Sequence, residues 1–277
     1  MALRRELLGG KTVGDWLLHL PVAWMAVVIF AATYLFAAGI YWVVISLAVN
    51  DRARAFKALS PGMLPTLGIL FALLTGFIAV EVWSNFDKAK VAVATEASAL
   101  RAVVLLAGSL PVEQEAGLRA LINRHIEEAV NQEWPTMARQ RATLTALPAA
   151  LIEALQRTLA LKPSDDGQQT ARREIVSALH LALDARRQRI IISQSTVSPI
   201  KWSGLLLQAL CTSIAIAMVH SDNRLTCGIA LTLFATGIAL SLLLIAAYSR
   251  PFTGAISVGP ELLKQVITSE ATVGTSR

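Results

Sequence analysis

Residues 65–100 read PTLGILFALLTGFIAVEVWSNFDKAKVAVATEASAL, and this stretch decides how the rest of the chain is arranged. Residues 58–80 carry no charged side chain, a length that suits a membrane-spanning helix of roughly 20 residues. From Glu81 onward the stretch is charged, and it contains neither Pro nor Gly after Gly76. The pattern therefore predicts one continuous helix that leaves the bilayer and enters the aqueous phase.

Two stripes of side chains run along the apolar half of this helix at helical spacing. The small stripe consists of Gly68, Ala72, Gly76 and Ala79, and the large stripe of Ile69, Leu73, Phe77 and Val80. Small residues let a neighbouring helix approach closely, so the first stripe indicates a helix-packing face. The large stripe can face lipid, a packed helix or a pore.

The composition excludes an ordinary soluble domain, because 55% of the residues are hydrophobic and the mean hydropathy is +0.56. Uncharged apolar segments predict transmembrane helices at about 22–48, 63–83, 203–220 and 226–248. In hydrocarbon every backbone polar group must be paired internally, so these segments are expected to be helices. The predicted fold is an all-α membrane protein, with two spans on each side of a helical domain.

Four spans place both termini and the central segment on one side of the membrane. The basic residues near the membrane on that side are Arg4, Arg5, Lys11, Lys88, Lys90, Arg101, Arg186, Arg187, Arg189, Lys201, Arg250 and Lys264, against Arg52, Arg54, Lys57 and Arg224 on the other. This excess predicts a cytoplasmic location for that side. The expected layout is a multi-pass membrane protein with an N-terminal segment (1–20), spans 1 and 2 (21–83), a cytoplasmic domain (84–201), spans 3 and 4 (202–249) and a cytoplasmic tail (250–277).

The central segment is rich in Ala, Leu, Glu, Gln and Arg, a composition that favours helix. Prolines mark the breaks between helices predicted near 84–109, 112–134, 136–146, 149–161 and 169–194. His125 and the acidic group Glu127, Glu128 and Glu133 are expected on solvated faces. The tail from Arg250 is predicted to be an extended docked segment, followed by a short helix from Pro260.

The sequence lacks the common phosphate-loop, dinucleotide, zinc-protease and serine-hydrolase motifs, which argues against an enzyme and predicts no cofactor or metal. Cys211 and Cys227 lie in spans and are expected to pack as small apolar residues. Residues 84–201 carry fifteen basic and twelve acidic side chains, a net charge of +3. That balance argues against a nucleic-acid-binding face.

Several short motifs occur in a definite order relative to the four spans. They are Asp87-Lys88-Ala89-Lys90 with Glu96 to Leu100, Glu133-Trp134-Pro135, Arg186-Arg187 with Arg189 before Pro199 and Trp202, and the tail Arg250-Pro251-Phe252-Thr253-Gly254 with Pro260. Over about residues 20–265 the sequence resembles the bestrophin-like family of bacterial membrane proteins, of the DUF4239 type. The resemblance implies a location in the bacterial inner membrane. One departure is Ser249, where the family pattern leads us to expect an acidic residue.

The resemblance implies a function, because bestrophins are pentameric anion channels whose second helix lines a narrow neck. It would place Ile69, Leu73 and Phe77 in a pore neck, and Glu81, Asp87 and Glu96 at its cytoplasmic mouth. Gly68, Ala72 and Gly76 would pack against a neighbouring helix of a homo-oligomer, with lipid and the permeating ions as the other partners. Two alternatives stay open: a membrane-anchored sensor or scaffold whose cytoplasmic domain binds a partner protein, and a transporter.

Overall fold

The structure is a computed structural model that describes residues 20–48, 62–254 and 256–274, and this part of the chain is helical with no strand. The helices are α1 (Val22–Leu47), α2 (Met63–Ala107), α3 (Val112–Glu128), a π-helical turn (Ala129–Glu133), α4 (Trp134–Ala138), α5 (Ala149–Ala160), α6 (Asp166–Ser193), α7 (Pro199–Val219), α8 (Arg224–Tyr248) and α9 (Glu261–Gly274). The predicted N-terminal segment and most of the first loop, including Arg52, Arg54 and Lys57, lie outside the described residues.

Four of these helices, α1, α2, α7 and α8, are long and apolar enough to cross a membrane. They confirm the four predicted spans. Helix α2 has 45 residues, which at a rise of 1.5 Å per residue gives a length of about 68 Å. The hydrocarbon core is about 30 Å thick, so one continuous helix extends well beyond it.

The chain divides into two compact units. The span unit comprises residues up to 84 and most of 196–256, and its centre is α8. Phe71 on α2 meets Phe234 on α8 edge to face, with 5.4 Å between ring centroids. Elsewhere α8 buries Leu231 against Ile40 of α1. Each contact joins apolar side chains of two different helices. Helix α8 therefore packs against both α1 and the membrane half of α2.

The helical unit comprises residues 85–195, 251–253 and those from 257 onward. Its core begins on the second half of α2, where Ala89, Val93, Leu100 and Ala107 are buried. Their spacings of four and seven residues, which correspond to about one and two helical turns, place them on one helix face. This face packs against buried residues of α3, α5 and α6 in a single hydrophobic cluster.

The prediction of a helix break at Pro135 followed by a helix over 136–146 is wrong. The chain stays helical through Pro135, because the wider π-helical turn directly before it accommodates a residue with no N–H to donate. Helix α4 then ends at Ala138, where Gln140 adopts a positive φ of 55°. Arg141 N–H donates to the Thr136 carbonyl, which is the bond of a Schellman helix end.

The tail docks on the helical unit and continues into a helix as predicted, but residues 251–254 form a turn and not an extended segment. Phe252 and Thr253 are buried, and the Thr253 hydroxyl donates to the Ala138 carbonyl at 2.7 Å. Val258 N–H donates to the Pro251 carbonyl at 2.7 Å, which closes the segment into a loop. Helix α9 starts at Glu261 and buries Leu263 and Val266 in the core of the helical unit.

Candidate functional site

The membrane half of α2 is the least covered of the four spans. In the apolar 18-residue segment of α2 only 11% is buried within the chain, against 28–33% in the corresponding segments of the other three spans. Ile69, Leu73 and Phe77 are 67%, 52% and 66% exposed, so the large stripe faces away from the chain's own helices. The face that does pack inward carries Phe71, Ile78 and Val82 instead.

At Gly68, Ala72 and Gly76 the small stripe is open as well, while Ala79 packs against the cluster that contains Phe71 and Ile78. A Cβ atom added at Gly68 or at Gly76 would meet nothing within 4 Å among the described residues, and Ala72 is exposed. The close helix contact expected at these residues is therefore not made by another described part of the same chain.

At the end of the span, Glu81 forms an ion pair with Lys201 of α7. The Lys201 ammonium lies 2.6 Å from Glu81 Oε1 and also contacts the other carboxylate oxygen. Both side chains are partly exposed. The pair explains how an acid is accommodated one turn from the end of the apolar segment.

Further along α2, Glu96 is wholly buried in the helical unit rather than exposed at an aqueous mouth. Arg189 of α6 binds both of its carboxylate oxygens, with Nε–Oε2 at 2.7 Å and Nη2–Oε1 at 3.0 Å. His125 Nε2 of α3 lies 3.1 Å from Oε1. Three helices therefore meet at one carboxylate in the core.

Opposing effects act on the Glu96 carboxyl. Burial raises its pKa, but the Arg189 charge and the hydrogen bonds from His125 and Arg189 together outweigh burial and lower the pKa to about 2. For Arg189, burial lowers the pKa, and the charges of Glu96 and Glu133 outweigh it and raise the pKa. Both groups are therefore ionised across the physiological range of pH.

The network continues through Glu133, the last residue of the π-helical turn. Its Oε2 accepts from Arg189 Nη2 at 2.8 Å, and its Oε1 accepts from Arg186 Nε at 2.7 Å. The next residue, Trp134, places its ring 4.5 Å from the Arg189 guanidinium carbon. Two arginines and two glutamates thus form a chain of alternating charge, which lowers the cost of burying each one.

Trp134 also joins this network to the tail. Its Nε1–H donates to the Val258 carbonyl at 3.1 Å, and its ring meets Phe252 edge to face with 6.0 Å between centroids. Gly254 follows with a φ of 88°, a conformation that glycine adopts without strain. The motifs that carry the family resemblance, Glu96, Glu133-Trp134, Arg186 with Arg189, and the Pro251-Phe252 tail, therefore include residues in contact with one another.

Several expectations about single residues are wrong. His125 is buried, not on the surface, and Glu133 is paired with two arginines, not solvated. Arg186 and Arg189 form buried ion pairs, so two of the basic residues counted toward membrane orientation are neutralised. Asp87 is exposed.

The described residues contain no group of three His, Cys, Asp or Glu side chains that could hold a metal ion. Cys227 is buried and Cys211 is exposed within the chain. Pro260 accepts a hydrogen bond from Lys264 N–H in the first turn of α9. None of these residues lies among the partners of the Glu96 network.

This architecture is similar to that of a solved structure, and the sequence matches one family model. No curated protein matches the sequence. A crystal structure of a bestrophin homologue from Klebsiella pneumoniae, carrying a point mutation, is similar with a TM-score of 0.68 and 15% sequence identity, over 86% of this chain and 97% of that one. That likeness shows a shared fold. The model of the bestrophin-like domain matches residues 31–263, and the chain therefore belongs to the bestrophin-like family of channel-type membrane proteins.

Proposed function

We propose that this protein is an oligomeric ion channel in which α2 from several copies surrounds a common axis. Five copies are proposed, by analogy with the bestrophins that the sequence resembles. The membrane is proposed to be the bacterial inner membrane, with the helical unit in the cytoplasm as the distribution of basic residues favours.

The observation that carries this proposal is the uncovered face of α2. A span that packs one face inward and leaves two stripes open can use the small stripe for contact with a second copy. The large stripe then turns toward the axis. A contact of Gly68, Ala72 and Gly76 with a second copy would supply the close packing that the described part of the chain does not give them.

Ile69, Leu73 and Phe77 would then form three successive apolar rings, one helical turn or about 6 Å apart. Apolar constrictions gate channels by dewetting, because water leaves a narrow apolar passage and an ion cannot cross it without water. The proposed gate therefore needs no charged residue in the neck. This agrees with a span that carries none between residues 63 and 80.

Selectivity for anions over cations is proposed on the charge of the same helix. Cation channels use rings of Asp or Glu, and the neck segment offers no such ring. Of the three acids expected at the mouth, Glu81 is paired with Lys201 and Glu96 with Arg189. Asp87 is exposed beside the exposed Lys88 and Lys90, so the local charge there is not negative.

Ion flux in reconstituted vesicles tests the proposal. We expect the wild-type protein to conduct, and Ile69→Ala and Phe77→Ala to raise the flux because each removes a ring of the constriction. Leu35→Ala is the matched control, since Leu35 is a large apolar residue of α1 that is 74% exposed. It should leave the flux unchanged.

Two results would contradict the channel. One is a wild-type protein without flux, and the other is neck variants that behave as the wild type does. A monomeric or dimeric mass in detergent, combined with specific capture of a partner protein by the helical domain, would favour the sensor or scaffold instead.

A further inference from the structure

The ion pair between Glu81 and Lys201 stands directly beyond the proposed neck. Glu81 follows Phe77 by four residues on α2, about one helical turn further along, and its carboxylate is directed toward Lys201 of α7. Glu81 is also the first charged residue of α2. In the proposed channel, an ion that passes Phe77 would next come near the charge of Glu81.

The position of Lys201 is not explained by its own helix. It lies in the first turn of α7, which starts at Pro199 and is capped by the Ser198 side chain. A cation in the first turn is opposed by the helix dipole, whose positive end is there, whereas an anion nearby is favoured. Lys201 is therefore accommodated by the Glu81 carboxylate, which lies 2.6 Å from its ammonium.

The pair is not enclosed by the other described residues of the chain. The Lys201 and Glu81 side chains keep 41% and 43% of their surface exposed. A partly exposed pair contributes little to stability, because water screens the attraction and the side chains lose freedom. The pair is nevertheless important for a passing ion, because its net charge is zero. Removal of either partner would leave one unit charge per copy about one helical turn beyond Phe77.

We propose that Lys201 is a specificity-determining residue, which cancels the charge of Glu81 and so lets anions leave the neck. This inference rests on the proposed channel function. In a ring of copies, uncompensated Glu81 would form an acidic ring of the kind that selects cations. Lys201 prevents this without contributing a side chain to the neck itself.

Reversal potentials in planar bilayers under a salt gradient test the inference. Lys201→Met exposes the Glu81 charge and should shift the permeability ratio toward cations by at least about threefold. Glu81→Gln exposes the Lys201 charge and should shift the ratio toward anions. The double variant, Glu81→Gln with Lys201→Met, should return to the wild-type ratio.

Two further variants separate the charge effect from a structural one. Lys201→Arg keeps a cation opposite Glu81 and should retain the wild-type ratio. Lys162→Met removes an exposed lysine of the helical unit and should do the same. If the pair had only a structural role, Lys201→Met and Glu81→Gln would shift the permeability ratio in the same direction. The double variant would then not return to the wild-type ratio.

The two proposals fail in different ways. A wild-type protein that does not conduct overturns the channel and this inference together. A conducting wild type whose permeability ratio is unchanged in Lys201→Met and in Glu81→Gln overturns the role of Lys201 alone and leaves the channel standing.

Discussion

Arg189 binds both carboxylate oxygens of Glu96, at 2.7 and 3.0 Å, although 93 positions separate the two residues in the sequence. Both side chains are fully buried. The planar guanidinium matches the carboxylate in a two-bond geometry that lysine cannot reproduce. The contact ties the second half of α2 to α6, so the helix that carries the proposed neck is anchored by a buried ion pair in the helical unit.

Removal of the Glu96 charge should destabilise the protein strongly. Glu96→Gln leaves Arg189 buried with one of its two carboxylate partners lost, and loss of one partner of a buried pair costs about 3–5 kcal/mol. We expect the melting temperature in detergent to fall by at least about 6 °C. Asp87→Asn is the matched control, because Asp87 is exposed on the same helix. Equal melting temperatures for Glu96→Gln and Asp87→Asn would contradict the buried pair.

The same carboxylate should make stability depend on acid pH. Its pKa is about 2 in the folded protein and 4.5 in an unperturbed glutamate. A group whose pKa is lowered by folding stabilises the folded state fully above its unfolded pKa, and this stabilisation is lost as the pH falls toward the folded pKa. The loss should therefore begin below about pH 5.

Melting temperatures of the wild type and of Glu96→Gln at a series of pH values measure this directly. Glutamine does not titrate, so the difference between the two proteins should be constant near neutral pH and should shrink as the pH falls from 5 to 3. A difference that stays constant over that interval would show that Glu96 is not the titrating group.

The tail should loosen when the Trp134 indole loses its N–H. Trp134→Phe retains an aromatic ring beside Arg189 and Phe252 but leaves the Val258 carbonyl without its donor. One hydrogen bond contributes about 1 kcal/mol, which corresponds to roughly fivefold faster amide exchange if the segment opens locally. Hydrogen–deuterium exchange of the peptide around Val258 is the measurement. Trp83→Phe, a change at an exposed tryptophan of α2, should leave that peptide unaffected.

The four spans and the continuity of α2 could be predicted from the sequence, because they depend on local composition. An uncharged apolar run of sufficient length fixes a membrane helix whatever its neighbours are. The absence of Pro and Gly after Gly76 likewise extends α2 without reference to the rest of the chain. The sequence does not determine what the open face of α2 contacts, since a stripe at helical spacing does not reveal its partner.

The buried network could not be predicted in the same way, because each of its residues has an ordinary local interpretation. Arg189 looks like a member of a basic cluster near the membrane, and Glu133 like part of an acidic surface. One signal was present: Glu96 falls in the same row as Val93 and Leu100, both buried. A charge at a core position must find a partner, but periodicity does not say that the partner lies 93 residues away.

The glycines of α2 allow the proposed assembly to be tested apart from conduction. Gly76→Leu adds a side chain where a Cβ meets nothing within 4 Å, so the fold of a single chain should tolerate it. If a helix of a second copy packs against the small stripe, the leucine will hold the two backbones apart and shift the mass in detergent toward the monomer. Gly39→Leu on α1 is the matched control, since a Cβ there also meets nothing within 4 Å. If light scattering finds the same oligomer for Gly76→Leu as for the wild type, the small stripe faces lipid and not a second copy. The proposal that Ile69, Leu73 and Phe77 face a common axis would then lose its main support.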